Sequence, residues 1–74
     1  MTFDEKVKLL RTLPQFKVIP ISEVRAIAFA AQEKSEPAEN DFVLAQTAQT
    51  TLITLTPKDI QKLLREYPDL QHKF

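Results

Sequence analysis

The sequence predicts a small, mostly helical α+β domain in the order helix, helix, strand, strand, helix, with the two strands forming an antiparallel hairpin. Three observations predict it: amphipathic segments that begin with helix-capping residues, β-rich alternating segments before the last helix, and a length of 74 residues, which fits one domain over residues 1–74. A chain this short buries only about 60% of the surface that its unfolded form exposes. We therefore expect marginal stability and a gain from association with a partner or a second copy.

The first helix is predicted over roughly residues 3–12. Thr2 and Glu5 have the spacing of a capping box, in which each side chain accepts a backbone N–H of the other residue. Apolar residues then recur on one side of the helix. Pro14 ends it, because the residue before a proline is disfavoured in helical backbone angles.

The second helix is predicted over the segment SEVRAIAFAAQEK, residues 22–34, with Ser22 as its cap. Val24 and Ile27 belong to a stripe with helical spacing that predicts the buried side. Phe29 falls away from that stripe. We expect this helix to contact something on a second side, and its alanines to allow another element to approach closely.

A polar loop at residues 35–41 separates the helices from two predicted strands, FVLAQ at residues 42–46 and TTLITL at residues 50–55. The connection TAQT contains none of the residues that favour a tight hairpin turn. Thr56 then caps the last helix, with Pro57 at its first position. Its apolar stripe consists of Ile60, Leu63, Leu64 and Tyr67. Pro68 ends the helix, and LQHKF is predicted to be a short tail.

Composition excludes several kinds of site. Cysteine is absent and His72 is the only histidine, so we expect no metal site and no catalytic pair of Ser or Cys with His. Glycine is also absent, whereas loops that hold phosphates or nucleotide cofactors need close backbone approach that glycine provides most easily. We therefore expect neither enzymatic activity nor a cofactor.

The charge balance and hydropathy bear on location and partners. Ten basic residues offset ten acidic ones, which disfavours a protein built to coat nucleic acid or an anionic membrane. No apolar run approaches the roughly 20 residues that cross a bilayer, and the N-terminal residues contain no apolar signal core. We expect no membrane association and a cytoplasmic location.

Two sequence segments resemble the N-terminal and C-terminal ends of a cyclic nucleotide-binding domain. On the N-terminal side, LLRTLPQF at residues 9–16 precedes the helix ISEVRAIAFAAQ. On the C-terminal side, VLAQT leads into LITLTPKDIQKLLREYPDL. The similar segments cover roughly residues 7–33 and 42–70. In the family, flanking helices of this kind relay the ligand state to partner domains, so the resemblance implies a retained contact surface.

The ligand-binding part of that family has no counterpart here. Its glycine-rich cassette, with a glutamate and an arginine that hold the ribose and cyclic phosphate, is missing between Gln32 and Phe42. When the following strand is aligned, the position of the phosphate-binding arginine falls near Glu39, whose carboxylate would repel the phosphate. The resemblance therefore implies a reduced domain that does not bind cyclic nucleotide.

These observations favour a non-enzymatic protein-interaction or regulatory module, with a protein partner or a second copy of the chain. Aromatic side chains often anchor interfaces. Phe29, Tyr67 and Phe74 are the candidates for such anchors, and Phe29 and Phe74 are expected to be exposed.

Two alternatives stay open. In the first, Lys58, Lys62 and Arg65, which share one face of the last helix, contact nucleic acid phosphates, although acidic residues interrupt the same helix. In the second, the chain is a structural subunit of a larger assembly and folds poorly alone.

Overall fold

The computed structural model describes all 74 residues, with three α-helices and three β-strands around one apolar core. The elements, in chain order, are α1 (Phe3–Arg11), α2 (Ile21–Ala30), β1 (Gln32–Lys34), β2 (Phe42–Gln46), β3 (Leu52–Leu55) and α3 (Pro57–Glu66). Two 3₁₀ segments, Pro14–Phe16 and Pro68–His72, follow α1 and α3. The predicted α+β class and element order are confirmed, with one additional strand.

The capping box of α1 forms as predicted. The Thr2 hydroxyl accepts the N–H of Glu5 at 3.2 Å, and the Glu5 carboxylate accepts the N–H of Thr2 at 3.3 Å. The hydrogen bond from the Thr2 backbone stabilises the ionised carboxylate and so lowers the pKa of Glu5. Helix α1 ends at Arg11, and the chain then turns at Pro14.

Helix α2 begins and ends earlier than the sequence predicted. Its N-cap is Pro20, without a side-chain hydrogen bond, so the prediction that Ser22 is the cap was wrong. The helix ends at Ala30 because Ala31 is extended, with φ −69° and ψ 144°. The predicted helical residues Gln32–Lys34 instead form β1 and pair with β3.

The sheet therefore has three antiparallel strands in the order β1-β3-β2, which corrects the predicted two-stranded hairpin. Gln, Glu and Lys are good helix formers, but helix propensity is a weak preference that pairing with a neighbouring strand overrides. In the central strand, Ile53 lies opposite Glu33 on one side and Ala45 on the other. The register of β2 shifts between Val43 and Ala45, so Leu44 is the extra residue of a β-bulge.

The connection between β2 and β3 closes without glycine. The carbonyl of Thr47 accepts the N–H of Thr50 at 3.0 Å, and the N–H of Thr47 donates to the carbonyl of Thr51 at 2.8 Å. Thr50 has φ 62°, and no other residue has a positive φ. A β-branched residue is strained in this left-handed conformation and is rarely found there. The sequence TAQT therefore lacks the residues from which a tight turn is usually predicted.

Helix α3 confirms its predicted start and end. The Thr56 hydroxyl accepts the N–H of Asp59 at 3.1 Å, Pro57 is the first helical residue, and the helix ends at Glu66. The residues after it were predicted to form only a short tail. They continue as the 3₁₀ segment Pro68–His72, in which Leu70 is fully buried.

Every helix and two of the strands contribute to the core. Helix α1 packs against α2 and contacts β2, whereas α2 also contacts α3. The buried apolar residues are Leu10, Phe16, Ile19, Val24, Ile27, Ala28, Ala31, Leu44, Ile53, Leu55, Leu63 and Leu70. Lys6 further joins α1 to the end of α2, because its ammonium group donates to the carbonyl of Ala31 at 2.9 Å.

Candidate protein-interaction surface

The side chain of Phe29 projects from α2 and is 87% exposed. The same helix buries Val24, Ile27 and Ala28, so Phe29 lies on the side turned away from the core. Single exposed apolar residues are common on proteins and by themselves indicate nothing. The surroundings of Phe29 therefore decide whether it is a binding residue.

Phe29 borders a groove of about 470 Å³ between α2 and α3. Small and apolar side chains, among them Ala26, Ala30 and Leu63, contribute part of its lining, and polar side chains contribute the rest. The full set of lining residues is Ala26, Phe29, Ala30, Gln32, Asp59, Lys62, Leu63 and Glu66. An exposed ring beside a partly apolar concavity is the arrangement in which a partner can bury both.

The charged residues of the groove come from α3. Asp59, Lys62 and Glu66 follow the i, i+3, i+7 spacing of one helical side. None of them takes part in an ion pair within the chain. The groove thus presents two carboxylates and one ammonium group that are free to pair with a partner.

Arg25 adds a positive charge on the Phe29 side of α2, one helical turn earlier. Its guanidinium carbon lies 5.7 Å from the ring centroid of Phe3, within the range of a cation–π contact. It forms no ion pair or hydrogen bond within the chain. Because Arg25 is exposed, its five donors are available to an acidic group.

Tyr67 and Phe74 lie apart from this groove. Tyr67 follows the last residue of α3 and is half-buried against the core. Phe74 is also half-buried: its ring centroid lies 6.0 Å from that of Phe16 and 5.6 Å from that of Phe42. The expectation that Phe74 is an exposed anchor was wrong, because the segment after α3 folds back and places its ring on Phe16.

The three basic residues proposed for nucleic acid all lie exposed on α3. Lys58, Lys62 and Arg65 line a shallow depression of about 480 Å³. Asp59 and Glu66 line the same depression. Its positive potential is therefore partly cancelled, which weakens attraction to a phosphate backbone.

Other exposed apolar residues lack an adjoining apolar groove. Val18 is 77% exposed and Ile21 is 48% exposed near the start of α2, and neither lines a concavity. On the edge strand β2, Val43 is 44% exposed. The bulge at Leu44 makes this edge irregular, which disfavours pairing with a strand of another molecule.

The structure contains no group of three or more His, Cys, Asp or Glu side chains that could hold a metal ion. None of its helices has the length and apolar character required to pass through a lipid bilayer. Two polar atoms are buried without a hydrogen-bond partner, Oε2 of Glu23 and Oγ1 of Thr54, and neither residue lines the groove.

Comparisons with known proteins identify no relative from which a function could be transferred. No family model matches the chain, and neither a curated protein nor a solved structure is significantly similar to it. The function must therefore be inferred from the groove, its exposed ring and its unpaired charges.

Phe29 was predicted from the sequence to be an exposed residue, but the groove beside it was not predicted. Ala26 and Ala30 have the i, i+4 spacing of neighbours on one helical side, and this was the available signal. Leu63 belongs to the predicted apolar stripe of α3; it is buried and also contributes to the groove. That α2 and α3 lie side by side is a long-range relationship that a single sequence does not reveal.

Proposed function

We propose that the protein is a non-enzymatic protein-interaction module of the cytoplasm that binds its partner through Phe29 and the groove between α2 and α3. The observation that carries this proposal is the exposure of Phe29, 87%, beside a groove with unpaired charges. A regulatory role follows if binding of this surface alters the activity of the partner.

The physical basis is the energy that an aromatic anchor supplies. Burying a phenylalanine side chain contributes about 1.5–3 kcal/mol, or roughly a 10- to 100-fold gain in affinity. The free charges of Asp59, Lys62 and Glu66 would set the orientation of the partner and its rate of association more than its affinity. A partner that presents an apolar residue flanked by a basic one matches this surface best.

Nucleic acid is the weaker candidate. Lys58, Lys62 and Arg65 share one depression, which favours a phosphate contact, but the two carboxylates that line it oppose one. Strong salt dependence of binding would distinguish the two partners, because each neutralised phosphate releases counterions.

We also retain, as a proposal, the kinship with a reduced cyclic nucleotide-binding domain. It is supported by the two sequence segments that precede and follow the region where the family has its ligand-binding cassette. Here that region contains β1 and a loop over residues 35–41. Titration with cyclic AMP and cyclic GMP by calorimetry is expected to give no binding heat, and saturable binding would overturn the loss of the ligand site.

The proposed function can be tested by affinity capture from native lysate with three forms of the tagged protein: the unaltered chain, Phe29→Ala and Val18→Ala. Val18 is a matched control because it is also highly exposed but borders no groove. Each capture is performed with and without nuclease, and at low and moderate salt.

The proposal predicts a stoichiometric protein that survives nuclease treatment, is retained by the Val18→Ala form and is lost with Phe29→Ala. A partner retained equally by all three forms would contradict the assigned surface. Recovery that disappears with nuclease would contradict a protein partner and favour the basic face of α3.

A further inference from the structure

The surface around Phe29 contains both a protruding side chain and a cavity next to it. Phe29 is 87% exposed although it borders the groove, so the chain does not fill its own groove with this ring. A protrusion beside a concavity on one face is self-complementary under a two-fold axis, because each copy can then insert its protrusion into the other.

The charges of this face are complementary in the same way. Arg25 lies one turn from Phe29 and has no acidic partner within the chain. The groove carries the carboxylates of Asp59 and Glu66, which have no basic partner, and the single ammonium group of Lys62, so that its charged lining is negative on balance. When Phe29 of one copy enters the groove of another, the neighbouring guanidinium approaches these carboxylates.

Small side chains and overall neutrality remove two obstacles to self-association. Ala26 and Ala30 are the residues of α2 that border the groove with Phe29, and such small residues let two helices approach closely. Ten basic and ten acidic residues give the chain no net charge, so two copies do not repel each other over long distances.

From these relationships we infer that the occupant of the groove is a second copy of this chain. The two copies form an isologous dimer in which each Phe29 lies in the partner's groove and each Arg25 pairs with Asp59 or Glu66 across the interface. This inference rests on the proposed function, since it uses the same surface and names the partner.

The size of the surface sets the expected strength. A standard interface buries about 800 Å² on each partner, which is roughly a sixth of the 4950 Å² that this chain exposes. The surface around Phe29 supplies one aromatic anchor on each side of such an interface. We therefore expect a dissociation constant in the micromolar range.

Sedimentation equilibrium over protein concentrations from about 1 to 500 μM measures this association directly. The unaltered chain is expected to pass from monomer to dimer within that range. Phe29→Ala is expected to weaken the dimer by roughly 30-fold or more, since truncation of an interface anchor has at least this effect. Val18→Ala should dimerise as the unaltered chain does, and circular dichroism checks that every variant folds.

A charge reversal tests the geometry rather than the ring alone. Arg25→Glu and Glu66→Arg are each expected to weaken the dimer, and Asp59→Arg provides the same test at the other carboxylate. The double variant Arg25→Glu with Glu66→Arg is expected to recover part of the affinity, because the pair is restored with its signs exchanged. Independent, additive losses in every combination would overturn the pairing across the interface.

A chain that stays monomeric up to 500 μM, or a dimer unaffected by Phe29→Ala, would overturn the inference. This failure differs from failure of the proposed function. If the chain is a monomer but still captures a different protein through Phe29, only the second copy as occupant is refuted. If Phe29→Ala weakens neither self-association nor capture of another protein, both the dimer and the proposed function are refuted.

Discussion

The ring centroid of Phe74 lies 6.0 Å from the ring centroid of Phe16, with an angle of 54° between the two ring planes. Phe16 is fully buried and belongs to the central core, so this contact fixes the last residue of the sequence onto the centre of the fold. Phe42 completes the cluster: its ring centroid lies 5.6 Å from that of Phe74, with an angle of 82° between the two ring planes. Such tilted and edge-to-face geometries are the favourable ones for aromatic pairs.

Phe74→Ala is therefore expected to lower the free energy of unfolding by about 1–2 kcal/mol, less than the 3–5 kcal/mol typical of a fully buried ring. Urea denaturation, monitored by circular dichroism, measures the change in the free energy of unfolding. Gln71→Ala, at an exposed position of the same segment, is the control and should change stability by less than about 0.5 kcal/mol. Equal, small effects of both substitutions would show that the aromatic cluster does not stabilise the fold.

Thr50 is expected to be a site where glycine stabilises the protein. Its φ of 62° is strained for a β-branched residue, and glycine adopts that angle without strain. Thr50→Gly should raise the free energy of unfolding by about 0.5–1 kcal/mol, after the greater freedom of glycine in the unfolded chain is deducted.

Gln49→Gly is the matched control for this turn. Gln49 has a negative φ, so glycine brings only greater freedom to the unfolded chain there and should destabilise by about 0.5–1 kcal/mol. Thermal or urea unfolding of both variants measures the difference in sign. Destabilisation by Thr50→Gly would contradict the strained turn.

The loop between β1 and β2 is held by Asp41. Its carboxylate accepts hydrogen bonds from the ammonium group of Lys34 at 2.6 Å and from the N–H of Ala38 at 2.9 Å. The hydrogen bond from Lys34, followed by that from Ala38, lowers the pKa of Asp41 in the folded state. A carboxylate with a lowered pKa binds protons more weakly in the folded state than in the unfolded state.

Asp41 therefore contributes stability above the ordinary aspartate pKa of about 3.9, and this contribution is lost as the pH falls through the lower folded-state pKa. Asp41→Asn should lower the melting temperature at pH 7, and the difference from the unaltered chain should shrink as the pH falls below about 4. Glu39→Gln changes a charge in the same loop without removing a hydrogen bond or ion pair within the chain and is the control. A difference that is constant with pH would contradict the contribution of the ionised carboxylate.

Glu23 is a buried carboxylate without a partner. It is 7% exposed, its Oε2 forms no hydrogen bond, and it occupies the third position of α2. A glutamate there usually accepts the N–H of the N-cap residue, but the N-cap is Pro20, which has no N–H. The folded state thus bears the cost of a buried polar atom that has no hydrogen-bond partner.

Glu23→Met is expected to raise the free energy of unfolding by about 1 kcal/mol, because an apolar side chain of similar length avoids that cost. Glu23→Gln separates the effect of charge from that of shape. Glu36→Gln, in the exposed loop, should change stability by less than about 0.5 kcal/mol. Destabilisation by both Glu23 variants in urea would show that the carboxylate is stabilising.

Local signals in the sequence predicted the helix starts that the structure confirms. The pair Thr2 and Glu5 and the pair Thr56 and Pro57 act within a few residues, so their spacing is sufficient to locate α1 and α3. Phe29 was identified in the same way, because a residue outside a helical stripe must face away from the buried side.

Features that depend on distant residues could not be predicted. Gln32–Lys34 form a strand only because β3 is available for pairing, and Leu70 is buried only because the chain folds back after α3. The groove beside Phe29 requires α2 and α3 to be neighbours, which no local pattern encodes. Pro20 as the cap of α2 gave no signal, since proline forms no side-chain hydrogen bond.

Photo-crosslinking in cells tests most directly whether binding passes through Phe29. A photoreactive benzoylphenylalanine replaces Phe29 in one form of the protein and Val18 in the other, so both probes are exposed and only one borders the groove. We expect a discrete adduct from position 29 and none from position 18, and the mass of the adduct identifies a second copy or another protein. No adduct at position 29, or equal adducts at both positions, would contradict binding through Phe29.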